Sequence, residues 1–257
     1  MNLEPAQEAD ASVGVAGRAS ILADQMSERE RTNWLKKALL NGTTEATRRI
    51  DALWQSLPDV AVIHGLRIDH DGSSAEIPHL VITRLLHCYV IDSQGLAAEV
   101  RATEAASWDI HTPYGWHATT SPVSRNEHNI EVLGDFIREH GLTPRKFGLA
   151  RSIEFRNRVL VSPVCVGRCK QGCAKRFATL ESLHQELSDE LEEMNNLGAL
   201  ASATRVISTA ALHRLADDLE SAGRVSRESG HPTAASTVHT HYFSRRTGGT
   251  EAHDRAA

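Results

Sequence analysis

The chain has 257 residues, of which 40% are hydrophobic and 24% charged, and its formal net charge is -5 at pH 7. This length accommodates one sizeable domain or two small ones, and the apolar fraction predicts a folded middle with polar ends. The charge argues against a surface covered in positive potential. Because no run approaches roughly 18 apolar residues and no signal-peptide pattern occurs, we expect a cytoplasmic protein without a membrane partner.

The N-terminal part is predicted to be helical after a disordered start. Residues 1–25 are rich in Ala, Glu, Asp, Gly and Ser without periodicity, which is typical of a disordered tail. A short helix is expected to follow and to be interrupted at Asn41-Gly42. A second helix is expected from Thr44 to Leu57, because an apolar stripe recurs there at helical spacing: Ala46, Ile50, Leu53, Trp54 and Leu57.

The middle of the chain is predicted to be a meander of strands. Residues 59–68 indicate a strand with at least one buried face, since Val60, Val62, His64, Leu66 and Ile68 alternate with Ala61, Ile63, Gly65 and Arg67. Asp71-Gly72 indicates a tight turn. Two further strands are expected within residues 76–94 and another within 97–111. Helices followed by such a meander predict a sheet of the α/β or α+β class with helices packed on it.

The second half is predicted to contain three helices and one strand. Residues 112–126 are expected to form a loop, and residues 147–163 to contain the strand. Apolar stripes at helical spacing predict helices at 125–140, at 177–196 and from about Ser208 to residue 222. The composition after residue 222 predicts a disordered tail.

Charge is unevenly distributed in this half. Ten Lys or Arg lie between Arg138 and Arg176, whereas six acidic residues and no basic ones lie between Phe177 and Asn196. The basic segment, which includes Arg168 and Lys170, is suited to contact phosphates. The alternative is a solvated edge that the acidic helix partly neutralises.

Candidate chemistry centres on residues 76–94. Hydrolysis of a phosphodiester needs carboxylates that hold a divalent cation, usually with a cationic group that orients the attacking water. Residues two apart on a strand share a face, so Asp92 and Gln94 are expected to share one, and Glu76 and Pro78 another. An acid and an amide at the end of a strand are by themselves a weak signal.

A succession of short phrases is more specific. In chain order they are Thr44-Glu45, His64-Gly65-Leu66-Arg67, Glu76-Ile77-Pro78-His79-Leu80-Val81-Ile82, Tyr89-Val90-Ile91-Asp92-Ser93-Gln94, Ser107-Trp108, and Ser-Pro-Val-Ser-Arg-Asn-Glu-His-Asn-Ile-Glu-Val-Leu over residues 121–133. From about Leu40 to Val161 this succession resembles the nuclease-related domain (NERD) family, which is assigned to the PD-(D/E)xK nuclease fold. The resemblance implies an α/β, restriction-endonuclease-like core with a central mixed β-sheet flanked by helices over residues 26–165. A helical extension over 166–222 and a disordered tail over 223–257 would follow.

The departures from the family pattern fall where the chemistry would lie. The family's metal-binding Asp falls on Pro78, which cannot ligate a cation. Its Lys falls on Gln94, which carries no charge. The Gln of its Gln-Asn pair falls on Arg125. The resemblance therefore implies weak or lost metal-dependent hydrolysis.

The positions that match the family pattern are Glu45, Asp92 and Asn126. The resemblance implies Asp92, Gln94 and Glu45 as catalytic positions, with Asp92 and Glu45 as ligands of a Mg²⁺ ion. Glu76 replaces the missing acid only if its side chain covers one step of roughly 7 Å along the strand. Otherwise we expect a binding fold that has lost strong hydrolysis.

The resemblance also implies a partner. The expected function is the binding of nucleic acid, DNA rather than RNA, with phosphate contacts from Arg125, Asn126, Arg156 and Arg158. The alternative from a different class is a non-catalytic structural or regulatory interaction module on the same scaffold. The sequence leaves the oligomeric state open.

Three cysteines raise the question of a zinc site. Cys165, Cys169 and Cys173 are spaced by four, which places their thiols on one helical face, and His184 is a candidate fourth ligand. Zinc sites more often have a Cys-x2-Cys pair and a second, distant pair. Reduced thiols without a metal are therefore the preferred interpretation.

Overall fold

The structure, a computed structural model, describes residues 28–54, 57, 59–96, 98–102, 108–113, 115–166, 176–197, 205–229 and 239–243. The helices in this part of the chain are α1 (Glu28–Trp54), α2 (Pro122–Glu139), α3 (Pro163–Val166), α4 (Leu180–Asn195) and α5 (Thr209–Ser229). The strands are β1 (Val60–His70), β2 (Ser73–Thr83), β3 (His87–Gly95), β4 (Val100–Ala102), β5 (Trp108–Thr112), β6 (Gly115–Thr119), β7 (Arg145–Lys146), β8 (Leu149–Ala150), β9 (Glu154–Val161), β10 (Phe177–Ala178) and β11 (His239–Phe243). No described helix has the length and apolar character needed to cross a lipid bilayer.

A six-stranded mixed sheet forms the centre, in the order β10-β9-β3-β2-β1-β11. Strands β1, β2 and β3 are antiparallel neighbours, and β11 pairs antiparallel with the outer edge of β1. On the other side, β9 runs parallel to β3, and β10 runs parallel to β9. Strands β4 to β6 form a smaller antiparallel sheet. The predicted α/β class, with a mixed central sheet flanked by helices, is confirmed.

Helices cover both faces of this sheet. We call the side packed against α2 and α5 the α2 face, and the side packed against α1 and α4 the α1 face. Their apolar stripes meet the strands in two separate core clusters, which include Leu133, Ile137, Leu212 and Leu219 on the α2 face and Ile50, Trp54, Leu183 and Leu187 on the α1 face. Each fully buried aliphatic side chain of this kind contributes about 1.5–3 kcal/mol. The helices predicted as a C-terminal extension therefore help to form the central core.

Strands β1 and β2 change face midway along their length. Four apolar residues of β1 lie on the α2 face with a slip of one residue at Gly65: Ala61, Ile63, Leu66 and Ile68. Gly65 has a φ of 64°, which side chains rarely tolerate. Strand β2 makes the same change between Ile77 and Leu80, so the register between the strands stays unbroken. The regular alternation predicted for residues 59–68 is therefore wrong beyond His64.

Helix α1 is continuous, so the interruption predicted at Asn41-Gly42 is wrong. The hydroxyl groups of Thr43 and Thr44 donate to the carbonyls of Leu39 and Leu40 at 3.1 and 3.0 Å, a bond compatible with a helix interior. Glycine inside a helix costs about 1 kcal/mol. The burial of the α1 stripe against the sheet outweighs that cost.

Two further differences from the sequence predictions follow from pairing between distant segments. The predicted loop over residues 112–126 contains β6, which pairs with β5, and α2 begins at Pro122 rather than near Arg125. The predicted disordered tail over residues 223–257 contains the end of α5 and strand β11, which pairs with β1 from Val60 to His64. Main-chain pairing of this kind leaves little trace in composition. The predicted tail over residues 1–25 lies outside the described residues.

Candidate active site

Asp92 is fully buried on the α2 face of β3 and is paired with an arginine. Arg125, in the first turn of α2, donates to Asp92 Oδ2 from Nη2 at 2.6 Å and from Nε at 3.2 Å. A carboxylate removed from water needs such a partner, because its effective desolvation costs several kcal/mol. Arg125 therefore neutralises Asp92.

Pro78 stands beside this ion pair in the sheet. Strands β2 and β3 pair His79 with Ile91, and continuing this register by one residue sets Pro78 across from Asp92. Proline offers neither a ligand oxygen in its side chain nor a backbone N–H. Gln94 lies in the same strand as Asp92, and its side chain is outside the described part of the chain. No second carboxylate comes from the Pro78 position.

Glu45 lies in α1, whose apolar stripe packs on the other face of the sheet. Its side chain is half exposed and accepts from Arg48 Nη2 at 2.7 Å and from Arg48 Nε at 3.0 Å. The hydrogen bond from Arg48 holds the pKa of Glu45 below its ordinary value. Glu45 is therefore an ionised surface carboxylate with a partner of its own.

Glu76 does not replace the missing acid in this arrangement. Its neighbour Ile77 lies in the α2-face cluster, so Glu76 points away from the face on which Asp92 lies. The Glu76 side chain is 71% exposed and lies 3.6 Å from Arg67 Nη1. The three predicted ligands Glu45, Glu76 and Asp92 thus pair with three different arginines.

The predicted metal ligands do not converge. Within the described residues, the one group of three His, Cys, Asp or Glu side chains with ligand atoms within 4.8 Å of one another consists of His70, Asp71 and Glu139. This group contains none of the three predicted ligands Asp92, Glu45 and Glu76. Among the described residues, the three predicted ligands therefore do not form the carboxylate cluster that a Mg²⁺ site needs.

Asn126 lies next to Arg125 and has a structural role. It is fully buried, and its side-chain amide lies 3.1 Å from the carbonyl of Val90 and 3.0 Å from that of Arg158. It also lies 3.0 Å from the side-chain oxygen of Asn157. These contacts join α2 to β3 and β9, and they leave no N–H of the amide for a phosphate.

Arg156 and Arg158 lie on the α1 face, away from Asp92. Arg156 donates to Glu190 at 2.8 Å, and Arg158 donates to Glu186 at 2.6 Å, so both arginines are bound to α4. Both guanidinium groups also lie over the ring of Tyr89, at 5.2 and 5.7 Å from its centroid. The structure thus separates these two predicted phosphate contacts from Arg125 and Asn126.

Glu190 is the centre of a buried polar network that the sequence did not indicate. Its carboxylate accepts from Thr83 at 2.9 Å and from Tyr89 at 2.7 Å, and lies 2.8 Å from His87 Nδ1. Burial alone would raise the pKa of Glu190, but the hydrogen bonds from His87, Tyr89 and Thr83 lower it overall. The network fixes an ionised carboxylate of α4 against the sheet.

A second polar network crosses three strands on the α1 face. Asp51 Oδ1 lies 3.1 Å from His64 Nε2, the Nδ1 atoms of His64 and His79 lie 2.7 Å apart, and His79 Nε2 lies 2.9 Å from Ser93 Oγ. The three residues from the strands are buried. A polar residue at an inward position in each of three apolar strands was the available sequence signal.

Two facing Nδ1 atoms this close share one proton, because two protons would repel and none would leave two lone pairs in contact. If His64 Nδ1 donates to His79 Nδ1, then His79 Nε2 donates to Ser93 Oγ. If His79 Nδ1 donates to His64 Nδ1, then the Ser93 hydroxyl donates to His79 Nε2. Burial, and then the charge of His64, hold the pKa of His79 well below its ordinary value. His79 is therefore neutral in the fold, and the four side chains form an ordered chain of hydrogen bonds.

The described cysteines give no support to a zinc site. Cys88 and Cys165 are buried free thiols, and burial raises the pKa of Cys88 to about 12. The Cys165 sulfur accepts from the Ser162 hydroxyl at 3.3 Å and from the Val100 N–H at 3.5 Å. Cys169 and Cys173 lie outside the described residues.

Comparison of this chain with protein-family models, with curated proteins and with solved structures found no match in any of the three.

Proposed function

We propose that this chain is a protein of the nuclease-related-domain type that binds nucleic acid, DNA rather than RNA, and has lost metal-dependent hydrolysis. The observation that supports the proposal is the buried ion pair between Asp92 and Arg125. Mg²⁺ requires several oxygen ligands in octahedral geometry. Here the retained carboxylate is bound to a guanidinium, and its neighbour across the sheet is Pro78. Any residual Mg²⁺ site would have to displace Arg125 first.

A surface for phosphate contacts is available at the hairpin β7–β8. Arg145 is exposed and Arg151 partly exposed, and neither pairs with a carboxylate among the described residues. Between them, Phe147 and Leu149 are 80% and 72% exposed. Cations flanking an exposed aromatic ring suit a single strand, because a base stacked on such a ring contributes about 1–3 kcal/mol. In our proposal this hairpin takes the role that the sequence suggested for Arg156 and Arg158.

Cleavage assays in Mg²⁺ and in Mn²⁺ test the loss of hydrolysis. We expect no cleavage by the wild type or by the double variant Pro78→Asp with Gln94→Lys, because Arg125 still occupies Asp92. Adding Arg125→Gln to the double variant should give cleavage, and a further Asp92→Asn should abolish it. The double variant is the matched control for the role of Arg125. Robust wild-type cleavage that Asp92→Ala removes would contradict the proposal.

Salt-titrated binding to single-stranded DNA and RNA tests the partner. Arg145→Ala with Arg151→Ala should weaken DNA binding at least tenfold at low salt and reduce the slope of log affinity against log salt by about 1.4, since each lost contact to a single strand removes about 0.7. Arg48→Ala with Arg49→Ala removes the same charge from arginines already paired with Glu45 and Glu181, and should change affinity less than twofold. Equal losses of DNA affinity in both variants would mean that the hairpin makes no specific contact and that DNA binds only through general electrostatic attraction.

The second candidate function is a non-catalytic interaction module without nucleic acid. The ion pairs of Arg156 and Arg158 with α4 favour it, because they neutralise the part of the basic segment that lies in the central sheet. Wild-type protein that fails to bind DNA or RNA even at low salt would establish this alternative over the first.

A further inference from the structure

We propose that His70, Asp71 and Glu139 form a binding site for a first-row divalent cation, with Zn²⁺ as the best fit. His70 is the last residue of β1, Asp71 opens the turn to β2, and Glu139 is the last residue of α2. The site is on a different part of the molecule from Asp92 and uses none of the residues that the nuclease resemblance implies. It is independent of the proposed function.

The distances in the group fit one small cation. His70 Nε2 lies 3.4 Å from Glu139 Oε2 and 3.9 Å from Asp71 Oδ2, and all three ligand atoms lie within 4.8 Å of one another. Two ligands at bonds of about 2.0–2.1 Å from a tetrahedral Zn²⁺ are about 3.4 Å apart. The distance from His70 Nε2 to Glu139 Oε2 therefore already matches. Small rotations of the two exposed carboxylates would shorten the other two distances among the three ligand atoms.

The surroundings of the His70 imidazole indicate that this site binds a cation. The His70 side chain is only 10% exposed, and its Nε2 is a buried atom without a hydrogen-bond partner. The carboxylates of Glu139 and Asp71 lie 3.4 and 3.9 Å from this atom. The rings of Phe136 and His140, both with centroids 5.8 Å away, restrict the rotation of the imidazole. This buried nitrogen beside two carboxylates is the feature that indicates a cation site.

The backbone under the site is well defined. Asp71 and Gly72 have φ values of 47° and 75°, the pattern of a two-residue type I′ turn that fixes where the Asp71 side chain begins. His70 is held by pairing with Ser73 across the same turn. The two exposed carboxylates, at 80% and 53%, must still be ordered by the ion, which predicts moderate affinity with room for a water ligand.

The ligand set selects the type of metal. One imidazole nitrogen with two carboxylate oxygens suits Zn²⁺, Co²⁺ or Mn²⁺ better than Mg²⁺, which prefers oxygen ligands alone.

The test is calorimetric titration of the full chain with Zn²⁺, with Mg²⁺ in parallel, and the absorption spectrum of the Co²⁺ form. We expect one saturable Zn²⁺ site, at least tenfold weaker in His70→Ala and in Glu139→Gln. His128→Ala, an exposed histidine on the same helix, should bind as the wild type does. This control is needed because the chain has 14 histidines that could bind zinc elsewhere.

Glu139→Gln keeps the shape of the side chain, so it decides the matter if His70→Ala does not fold. Wild type with no saturable Zn²⁺ binding, or variants that bind as tightly as the wild type, would overturn the proposal. Because these measurements use no nucleic acid, their outcome is separate from that of the cleavage and binding assays.

Discussion

At the scale of single residues, the buried imidazole of His79 makes the sheet interior sensitive to acid. His79 is neutral in the folded chain because burial and the charge of His64 hold its pKa well below the ordinary value of 6.5. In the unfolded chain the same imidazole takes up a proton near that ordinary value. Between the two pKa values the unfolded state binds more protons, so stability rises with pH in this interval.

We therefore expect the contribution of His79 to be complete above pH 6.5 and to be lost progressively below it. The slope of the free energy of unfolding from this residue approaches at most about 1.4 kcal/mol per pH unit. Urea denaturation at several pH values between neutrality and mild acid measures it. His79→Gln should lower stability at neutral pH and flatten the pH dependence.

His128→Gln, at an exposed position, should leave both the stability and the pH dependence unchanged. Parallel curves for wild type and His79→Gln would show that His79 does not titrate differently in the two states.

At the scale of elements, the parallel contact between β3 and β9 depends on a glycine close to the candidate site. The register shifts between Asp92 and Gly95, where β3 meets Val161. A Cβ atom on Gly95 would lie 2.6 Å from the carbonyl oxygen of Leu160 and 2.7 Å from Cγ1 of Val161. The backbone oxygen cannot move without disturbing β9. Gly95 is therefore required by close approach of two strands.

Gly95→Ala should lower the free energy of unfolding by about 1–3 kcal/mol, as expected for overpacking a well-packed interior. Gly134→Ala is the matched control, because a Cβ in that helical position would meet only the ring of Phe155 at 3.5 Å. It should be neutral or stabilise by up to about 1 kcal/mol, through the higher helix propensity of alanine. Thermal or urea denaturation of both variants gives the comparison. Equal destabilisation would mean that the two strands can separate at Gly95 at little cost.

The elements with clear periodicity were predictable, and those set by distant pairing were not. The stripes of α2, α4 and α5 follow from local sequence because each helix buries one face, and the apolar runs of β1, β2 and β3 follow from it because these strands are buried on both faces. The continuity of α1 through Gly42 depends on its packing against the sheet. The change of face at Gly65 needs a backbone conformation that the residue permits but does not dictate.

The same division holds for the candidate site. The sequence identified Asp92 and Arg125 as separate positions, one as a metal ligand and one as a phosphate contact. Their pairing arises because the first turn of α2 sets Arg125 against β3, which is a tertiary arrangement. Arg125 and Arg156 lie on opposite faces of the sheet, and this too results from the tertiary arrangement.

At the scale of the whole molecule, buried polar networks connect the layers that the apolar clusters form. Glu190 of α4 is bonded to residues of β2, β3 and β9, and Asn126 of α2 is bonded to β3 and β9. Both networks meet at the parallel pair β3 and β9, one from each face. Because each helix has specific polar partners on the sheet, the relative positions of helices and strands are fixed more closely than apolar packing alone requires.

The pairing of β11 with β1 also has a consequence for encounters between molecules. From Val60 to His64, the outer edge of β1 is an apolar stretch whose main-chain groups face β11. A chain shortened before residue 239 would present this edge as a template, and a strand from a second copy would satisfy the same hydrogen bonds. In the described part of the chain, β11 therefore covers the edge of β1 at which a strand from a second copy would otherwise pair.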